Sequence, residues 1–169
     1  MVDSGVISPT AKDVAARAGV GLRTVFERFA DMDDLQLTAT GEKLVRVAAT
    51  FSRVSESGTL EDRIESMTAA RVAPYDDVTA VRRAAERQEW YSAPLQALLS
   101  GWDNGCALDV FRVFEAEFSA MSAERLLVVG AGAATASSWS YWNQLRQRRS
   151  LSAERSASIV GCTVRALLR

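Results

Sequence analysis

The sequence contains no histidine, which removes the usual acid–base group at neutral pH and the commonest metal ligand. Its two cysteines, Cys106 and Cys162, form no CxxC pair and lie in apolar stretches, so we expect buried free thiols in a reducing compartment. The sequence offers no nucleophile–base pair and no cluster of metal-ligating residues. We therefore expect no metal, no cofactor and no enzymatic activity.

An excess of one charge and a long apolar run are also missing. The 20 basic and 21 acidic residues give a net charge of −1, so the chain has no overall attraction for a polyanion such as DNA. No apolar run reaches the length of a membrane span, and the first residues lack the pattern of a signal peptide. We expect a cytoplasmic protein with no membrane contact, in which any DNA binding depends on local geometry.

Strand-like alternation is absent, and only three prolines interrupt the 169 residues. Apolar residues instead recur at helical spacing along nearly the whole chain, which predicts an all-α fold of roughly eight helices. We divide it into a region over 1–53 and a helical bundle over 54–169. The first four predicted helices are Ala11–Ala18 between Thr10 and Gly19, about Leu22–Phe29, Asp31 towards Arg53, and Thr59 to near Pro74. The next two are Asp76 to near Tyr91 and a long helix from Ser92, in which Gly101 and 104–105 are candidate breaks. The last two are Ser122 to about Arg148 and a final helix capped by Ser152.

The stretch VAARAGVGLRTVFERF, residues 14–29, has the pattern of two short helices joined by a tight turn at Gly19. Around that glycine, Val14, Ala15, Ala18 and Val20 are expected to face inward. In the second helix Val25 and Phe29 are four apart and share an inward face. The outward residues are then Arg23, Thr24, Glu27 and Arg28, with Phe26 near the edge. A helix-turn-helix presents its second helix to a DNA groove in this way.

These residues resemble the TetR family of transcriptional repressors. The matching segments are TAKDVA (10–15), AGVG (18–21), TVFERF (24–29) and MDDL (32–35), and WSYWNQLRQRRSLSAER (139–155) is similar to the junction of the family's last two helices. The resemblance implies a homodimeric repressor that binds palindromic operator DNA and releases it when a small apolar molecule binds. The DNA contacts that it implies are Thr10, Arg23, Thr24, Phe26 and Arg28.

The chain departs from the family pattern at its N-terminal region. Gly21 replaces a capping serine, Met32 replaces a lysine that reaches a phosphate, and residues 1–53 carry seven basic and seven acidic side chains. Only MVDSGVISP precedes Thr10, where family members begin with a further helix. Either the chain is shortened or its DNA-binding head has degenerated, and the density of the motif favours shortening. The alternative function is a dimeric small-molecule-binding module that has lost DNA binding.

The segment RLLVVGAGAAT, 125–135, looks like a dinucleotide-binding fingerprint, but Thr135 takes the place of the third glycine and helical sequence follows. We predict instead a helix with a small-residue face that packs closely on a neighbour, formed by Gly130, Ala133, Ala134 and Ser137.

The resemblance also implies a dimer formed by the last two helices and a ligand pocket among the middle ones. Each candidate has a plainer alternative, which is core packing for an apolar residue and solvated surface for a charged one. The candidates for the dimer interface are Trp139, Trp142, Leu145, Ile159, Cys162 and Ala166. The candidates for the pocket are Met67, Arg71, Trp90, Trp102 and Phe114, with Arg71 or Glu86 as the polar anchor.

Overall fold

A computed structural model describes residues 9–51 and 54–169, and over these residues the chain is helical with no β-strand. The predicted all-α fold is thus confirmed. The contacts divide the chain into two compact units. Unit 1 takes in the chain up to Ala49 together with Asp77–Ser100, and unit 2 is Thr50–Asp76 with Gly101–Arg169.

Nine α-helices occur in the described ranges. They are α1 (Ala11–Ala18), α2 (Leu22–Arg28), α3 (Met32–Ala48), α4 (Leu60–Ala85), α5 (Ala93–Val113), α6 (Glu115–Ser119), α7 (Ala123–Ala136), α8 (Trp139–Asn143) and α9 (Ala153–Leu168). A 3₁₀ turn lies at Glu89–Tyr91, and a π-helical turn at Gln144–Arg148 follows α8.

Side-chain caps fix most of the helix starts that the sequence predicted. Thr10 and Asp13 form a reciprocal capping box, in which Thr10 Oγ1 accepts from the Asp13 N–H at 3.2 Å and Asp13 Oδ2 accepts from the Thr10 N–H at 2.9 Å. Thr59 and Asp62 form the same arrangement before α4. Ser152 caps α9 in the predicted way. Local sequence therefore determines where these helices begin.

The predicted helix end near Pro74 is wrong, because α4 continues through this proline to Ala85. A proline inside a helix removes one backbone hydrogen bond and costs about 3 kcal/mol. Buried residues continue along the same helix on both sides of it, including Met67 and Val78, and their packing outweighs that cost. Asp76 and Asp77 open no new helix. They are exposed on α4 and pair with Arg146 and Lys43.

The single helix predicted from Ser122 onwards is also wrong, because the structure has a break in it. One helix was expected to reach about Arg148, but α7 ends at Ala136 and α8 begins at Trp139. The hydroxyl of Ser137 donates to the Ala133 carbonyl at 2.7 Å, and the N–H of Tyr141 donates to the Ser138 hydroxyl at 3.2 Å. Serine side chains compete with the helical ladder in this way, so the break is explained locally. The candidate break in α5 at Gly101 does not occur, and the predicted end at Arg53 lies outside the described residues.

Candidate functional site

The turn between α1 and α2 in unit 1 has the backbone geometry that the sequence predicted. Gly19 adopts φ +67° and ψ +28°, the left-handed conformation that ends many helices. The N–H of Val20 donates to the Ala15 carbonyl at 3.1 Å and that of Gly19 to the Ala16 carbonyl at 3.4 Å. This pair of bonds is a Schellman motif. Gly21 then begins α2 without any side-chain cap, as its lack of a side chain requires.

The inward face of α2 also agrees with the prediction. Val25 is buried and Phe29 is half-buried, whereas the rest of α2 is exposed, including Phe26. On the α1 side Ala15 is buried and Val14 is half-buried. The expectation that Ala18 and Val20 face inward is wrong, because residues 18–21 are all exposed at the surface turn.

The charged groups on α2 are accessible, but one is already paired. Arg23 Nε donates to Glu27 Oε1 at 2.8 Å, with the arginine side chain 91% and the glutamate side chain 57% exposed. Arg28 and Thr24 are exposed on the same helix. Thr10 is exposed too, but its hydroxyl donates to Asp13 at 2.6 Å as part of the α1 cap. The exposed surface of α2 therefore offers two arginines, a hydroxyl and an aromatic ring.

Four of the five pocket candidates belong to unit 2. Met67, Arg71 and Phe114 are buried in it and Trp102 is half-buried. Trp90 belongs to unit 1 and is 79% exposed. Glu86, the other candidate anchor, is half-buried in unit 1.

Arg71 and Trp102 form part of a cluster that we call the Arg71 cluster, made of Phe51, Arg71, Tyr75, Trp102 and Cys106. The guanidinium Nε of Arg71 donates to the Tyr75 hydroxyl at 3.1 Å, and Nη2 donates to the Cys106 carbonyl at 2.7 Å. The ring of Phe51 lies edge-on to Tyr75 and to Trp102, with centroid distances of 6.0 and 5.5 Å. Burial raises the pKa of both the Tyr75 hydroxyl and the Cys106 thiol, so both groups are neutral at pH 7.

Sequence reasoning missed Phe51 and Tyr75 as members of this cluster. Tyr75 follows Pro74, where a helix end was expected, and that expectation hid the one-turn spacing between Arg71 and Tyr75 on α4. The helical spacing of Arg71 and Tyr75 would have been the signal, had α4 been predicted as continuous.

Three of the dimer candidates lie in the core of unit 2. Trp139, Trp142 and Leu145 are buried within the single chain, and the Trp142 indole N–H donates to Asp76 Oδ1 at 2.9 Å. These three residues therefore have the core packing that the sequence left open as the alternative.

The other three candidates lie on α9, where Ile159 is half-buried and Cys162 and Ala166 are exposed. On the neighbouring helix α7, Leu127 and Val128 are 74% and 68% exposed, and Ala131 is exposed as well. A Cβ added at Gly132 would lie 3.3 Å from Leu167, which puts the two helices in close contact. We call Leu127, Val128, Ala131, Cys162 and Ala166 the α7–α9 face.

The segment that looks like a nucleotide fingerprint is helical, as predicted, and forms α7. Gly130, Ala133 and Ser137 are buried, and a Cβ at Gly130 would lie 2.8 Å from the Phe111 ring. The small-residue face therefore packs closely against its neighbours.

Comparison with known proteins identifies no family, since no family model matches the chain and no curated protein matches it either. None of the helices in residues 9–51 and 54–169 has both the length and the apolar character of a membrane span. Within the same ranges, no three of the Cys, Asp and Glu side chains come together in a group able to hold a metal ion.

Proposed function

We propose that this chain is a TetR-like transcriptional regulator that binds palindromic operator DNA as a homodimer and releases it when a small molecule binds. The observation that carries the proposal is the pair α1 and α2 joined at Gly19, with Val25 buried and the rest of α2 exposed. This is the arrangement a helix-turn-helix needs, because the second helix must pack on one side and reach base edges with the other.

In this proposal α2 is the recognition helix. Arg28 is exposed and an arginine can bond to guanine through two hydrogen bonds, which is the commonest specific contact in the major groove. Thr24 donates to a phosphate, and Phe26 contacts a thymine methyl. Arg23 exchanges its exposed partner Glu27 for a phosphate, a small cost because an exposed ion pair contributes little.

The dimer places two copies of α2 on one face of the DNA. Leu127 and Val128 of the α7–α9 face are large apolar side chains that are mostly exposed, and a partner subunit that covered them would remove apolar surface from water, which supports this surface as the dimer interface. A twofold axis through it relates two recognition helices and suits a palindromic operator with half-sites about one helical turn apart.

Ligand binding in unit 2 would shift the population between DNA-competent and incompetent dimers. The Arg71 cluster is the proposed ligand site, since it combines a buried cation with aromatic side chains. Only a ligand with different affinities for the two states can release the operator.

The test is selection of DNA from a random-sequence pool by the purified chain. A palindromic sequence should be enriched, and Arg28→Ala should lower the ratio of specific to non-specific affinity by about tenfold or more, because a good bidentate contact contributes about 1–3 kcal/mol of discrimination. Arg87→Ala is the matched control, since Arg87 is another exposed arginine of unit 1. No enrichment, or equal effects of the two substitutions, would contradict the proposal.

The second candidate is a dimeric ligand-binding module that no longer binds DNA. The balanced charges over residues 1–53 and the pairing of Arg23 with Glu27 favour it, because phosphate attraction contributes most of non-specific DNA affinity. The same selection separates the two candidates. A chain that dimerises and binds a small molecule but enriches no DNA sequence is this module.

A further inference from the structure

Two nitrogen donors of the Arg71 cluster have no hydrogen-bond partner among the described residues. They are Arg71 Nη1 and Trp102 Nε1, and both atoms are buried. Arg71 is only 3% exposed, so bulk solvent does not reach its guanidinium. A buried donor without an acceptor costs about 1–3 kcal/mol, and more when the group is charged. Two such donors in one cluster indicate an acceptor that the described residues do not supply.

Within the part of the chain that the structure describes, Arg71 also has no ion-pair partner. Its two partners, the Tyr75 hydroxyl and the Cys106 carbonyl, are neutral groups. Asp103 is near enough for its charge to act on Tyr75 and Cys106, but the two hydrogen bonds that the structure gives Arg71 do not go to this carboxylate. Buried charges in proteins are nearly always paired. A carboxylate would supply both the negative charge and the acceptor that Arg71 Nη1 lacks among the described residues.

The other polar side chains of the Arg71 cluster are neutral, and the rest of the cluster is aromatic. The Tyr75 hydroxyl donates its proton to the Ser137 carbonyl at 2.7 Å while it accepts from Arg71. Burial raises the pKa of the Cys106 thiol, so that thiol carries no negative charge at pH 7. The Phe51 ring contacts both Trp102 and Tyr75 and adds aromatic surface to the cluster. A ligand that binds at the Arg71 cluster therefore needs an anionic group for the two donors and an apolar part for the aromatic rings.

We infer that unit 2 binds a small organic monocarboxylate, whose oxygens accept from Arg71 Nη1 and Trp102 Nε1 and whose apolar part packs against Phe51. The inference rests on the proposed function only in taking unit 2 as the ligand-binding unit. It adds to that function the charge of the ligand and the two donors that select it. Charge-assisted hydrogen bonds to a carboxylate are roughly twice as strong as neutral ones, so this pair of donors discriminates against neutral analogues.

The test uses the full chain without DNA and four probes, which are benzoate, octanoate, benzamide and octanamide. Each amide matches the shape of its carboxylate but lacks the charge. Calorimetry and thermal unfolding should show that the carboxylates bind at least about tenfold more tightly than the amides and raise Tm. Equal binding of amide and carboxylate, as expected if an ordered water is the usual partner of the two donors, overturns the inference. So does a failure of both carboxylates to raise Tm.

Trp102→Phe is the sharper variant, because it removes the unpartnered N–H and keeps an aromatic ring in place. No existing hydrogen bond is lost, so the Tm without ligand should stay close to that of the unmodified chain. Carboxylate affinity should fall about tenfold and amide affinity by less, because the neutral amide oxygen accepts a weaker hydrogen bond than the carboxylate. Trp90→Phe, at a tryptophan that is 79% exposed, is the matched control and should change neither. Equal effects of the two substitutions on carboxylate affinity overturn the assignment of Trp102.

Arg71→Met tests the cation itself and should abolish the preference for carboxylates. A preference that survives in a folded Arg71→Met protein overturns the inference. The outcome is independent of operator binding. A chain that prefers carboxylates but selects no DNA sequence supports this inference and contradicts the DNA-binding proposal, and the reverse result does the opposite.

Discussion

Arg63 and Glu117 form a two-bond ion pair in unit 2. Arg63 Nη1 donates to Glu117 Oε2 at 2.8 Å, and Nη2 donates to Oε1 at 2.5 Å. The side chains are 8% and 19% exposed, and Nη1 also donates to the Val113 carbonyl at 2.7 Å. The pair joins α4 to α6, two helices that are far apart in the sequence. Because both side chains are largely shielded from water, their bonds contribute more than those of a surface pair.

Glu117→Gln should therefore destabilise the chain by about 2 kcal/mol, since it leaves the buried guanidinium of Arg63 without its anion. Urea unfolding followed by circular dichroism measures the change. Glu27→Gln is the matched control, because it breaks the exposed pair with Arg23 and should leave the unfolding midpoint unchanged. Similar losses in the two variants would show that burial does not determine the strength of these pairs.

The same pair predicts a dependence of stability on pH. Hydrogen bonding to Arg63 holds the pKa of Glu117 below its ordinary value of 4.5. A carboxyl whose pKa is lowered by folding stabilises the folded state above its unfolded pKa and loses that contribution as pH falls through the folded pKa. The difference in unfolding free energy between the unmodified chain and Glu117→Gln should thus be constant near neutral pH and shrink below about pH 4.5. A difference in unfolding free energy that stays constant as the pH falls below this value would contradict the lowered pKa of Glu117.

Gly19 gives a prediction about the turn between α1 and α2. Its φ of +67° is unfavourable for residues with a Cβ, although a Cβ there would meet no atom of the described residues within 4 Å. Gly19→Ala should destabilise the chain by about 1 kcal/mol through backbone strain alone, and Gly19→Asn by less. Gly21→Ser is a control with the opposite expected sign, because Gly21 is the N-cap of α2, its φ of −73° suits any residue, and it has no side chain to accept a capping hydrogen bond. The serine should stabilise by a few tenths of a kcal/mol. Thermal unfolding of the three variants tests this order.

Glycines within helices provide a second test of packing. Gly101 lies in α5 with open space where a Cβ would be, so Gly101→Ala should stabilise by roughly 0.5–1 kcal/mol through helix propensity. Gly130→Ala has the same propensity gain in α7, but its Cβ would lie 2.8 Å from the Phe111 ring. Displacing that ring should cancel the gain or reverse it. If both alanines stabilise the chain equally in chemical unfolding, the close contact of α7 is not formed.

The sequence predicted the parts of this structure that depend on neighbouring residues. The cap at Thr10, the left-handed turn at Gly19 and the buried side of α2 each follow from a few adjacent side chains. Pro74 was misjudged because the packing that holds α4 together comes from residues elsewhere in the chain.

The same limit applies to the dimer candidates. Trp139 and Trp142 were chosen because aromatic side chains are common at interfaces, but they lie in the core of their own chain. Periodicity identifies an apolar face and does not say whether the same chain covers it. The exposure of Leu127 and Val128 became apparent only in the folded chain.

That exposure leads to the last prediction, which concerns the α7–α9 face. In a dimer with a twofold axis each substitution occurs twice, so Leu127→Lys places two lysines within one apolar interface. The dimer dissociation constant should rise at least about thirtyfold, as for the loss of a hot-spot residue, and sedimentation should show monomers. Leu108→Lys introduces the same charge at a leucine of α5 that is 69% exposed and should leave the dimer intact. Because the proposed operator binding requires two copies of α2, the Leu127→Lys monomer should also lose affinity for a palindrome but keep binding the carboxylate probe. A Leu127→Lys protein that remains dimeric would place the interface on another surface.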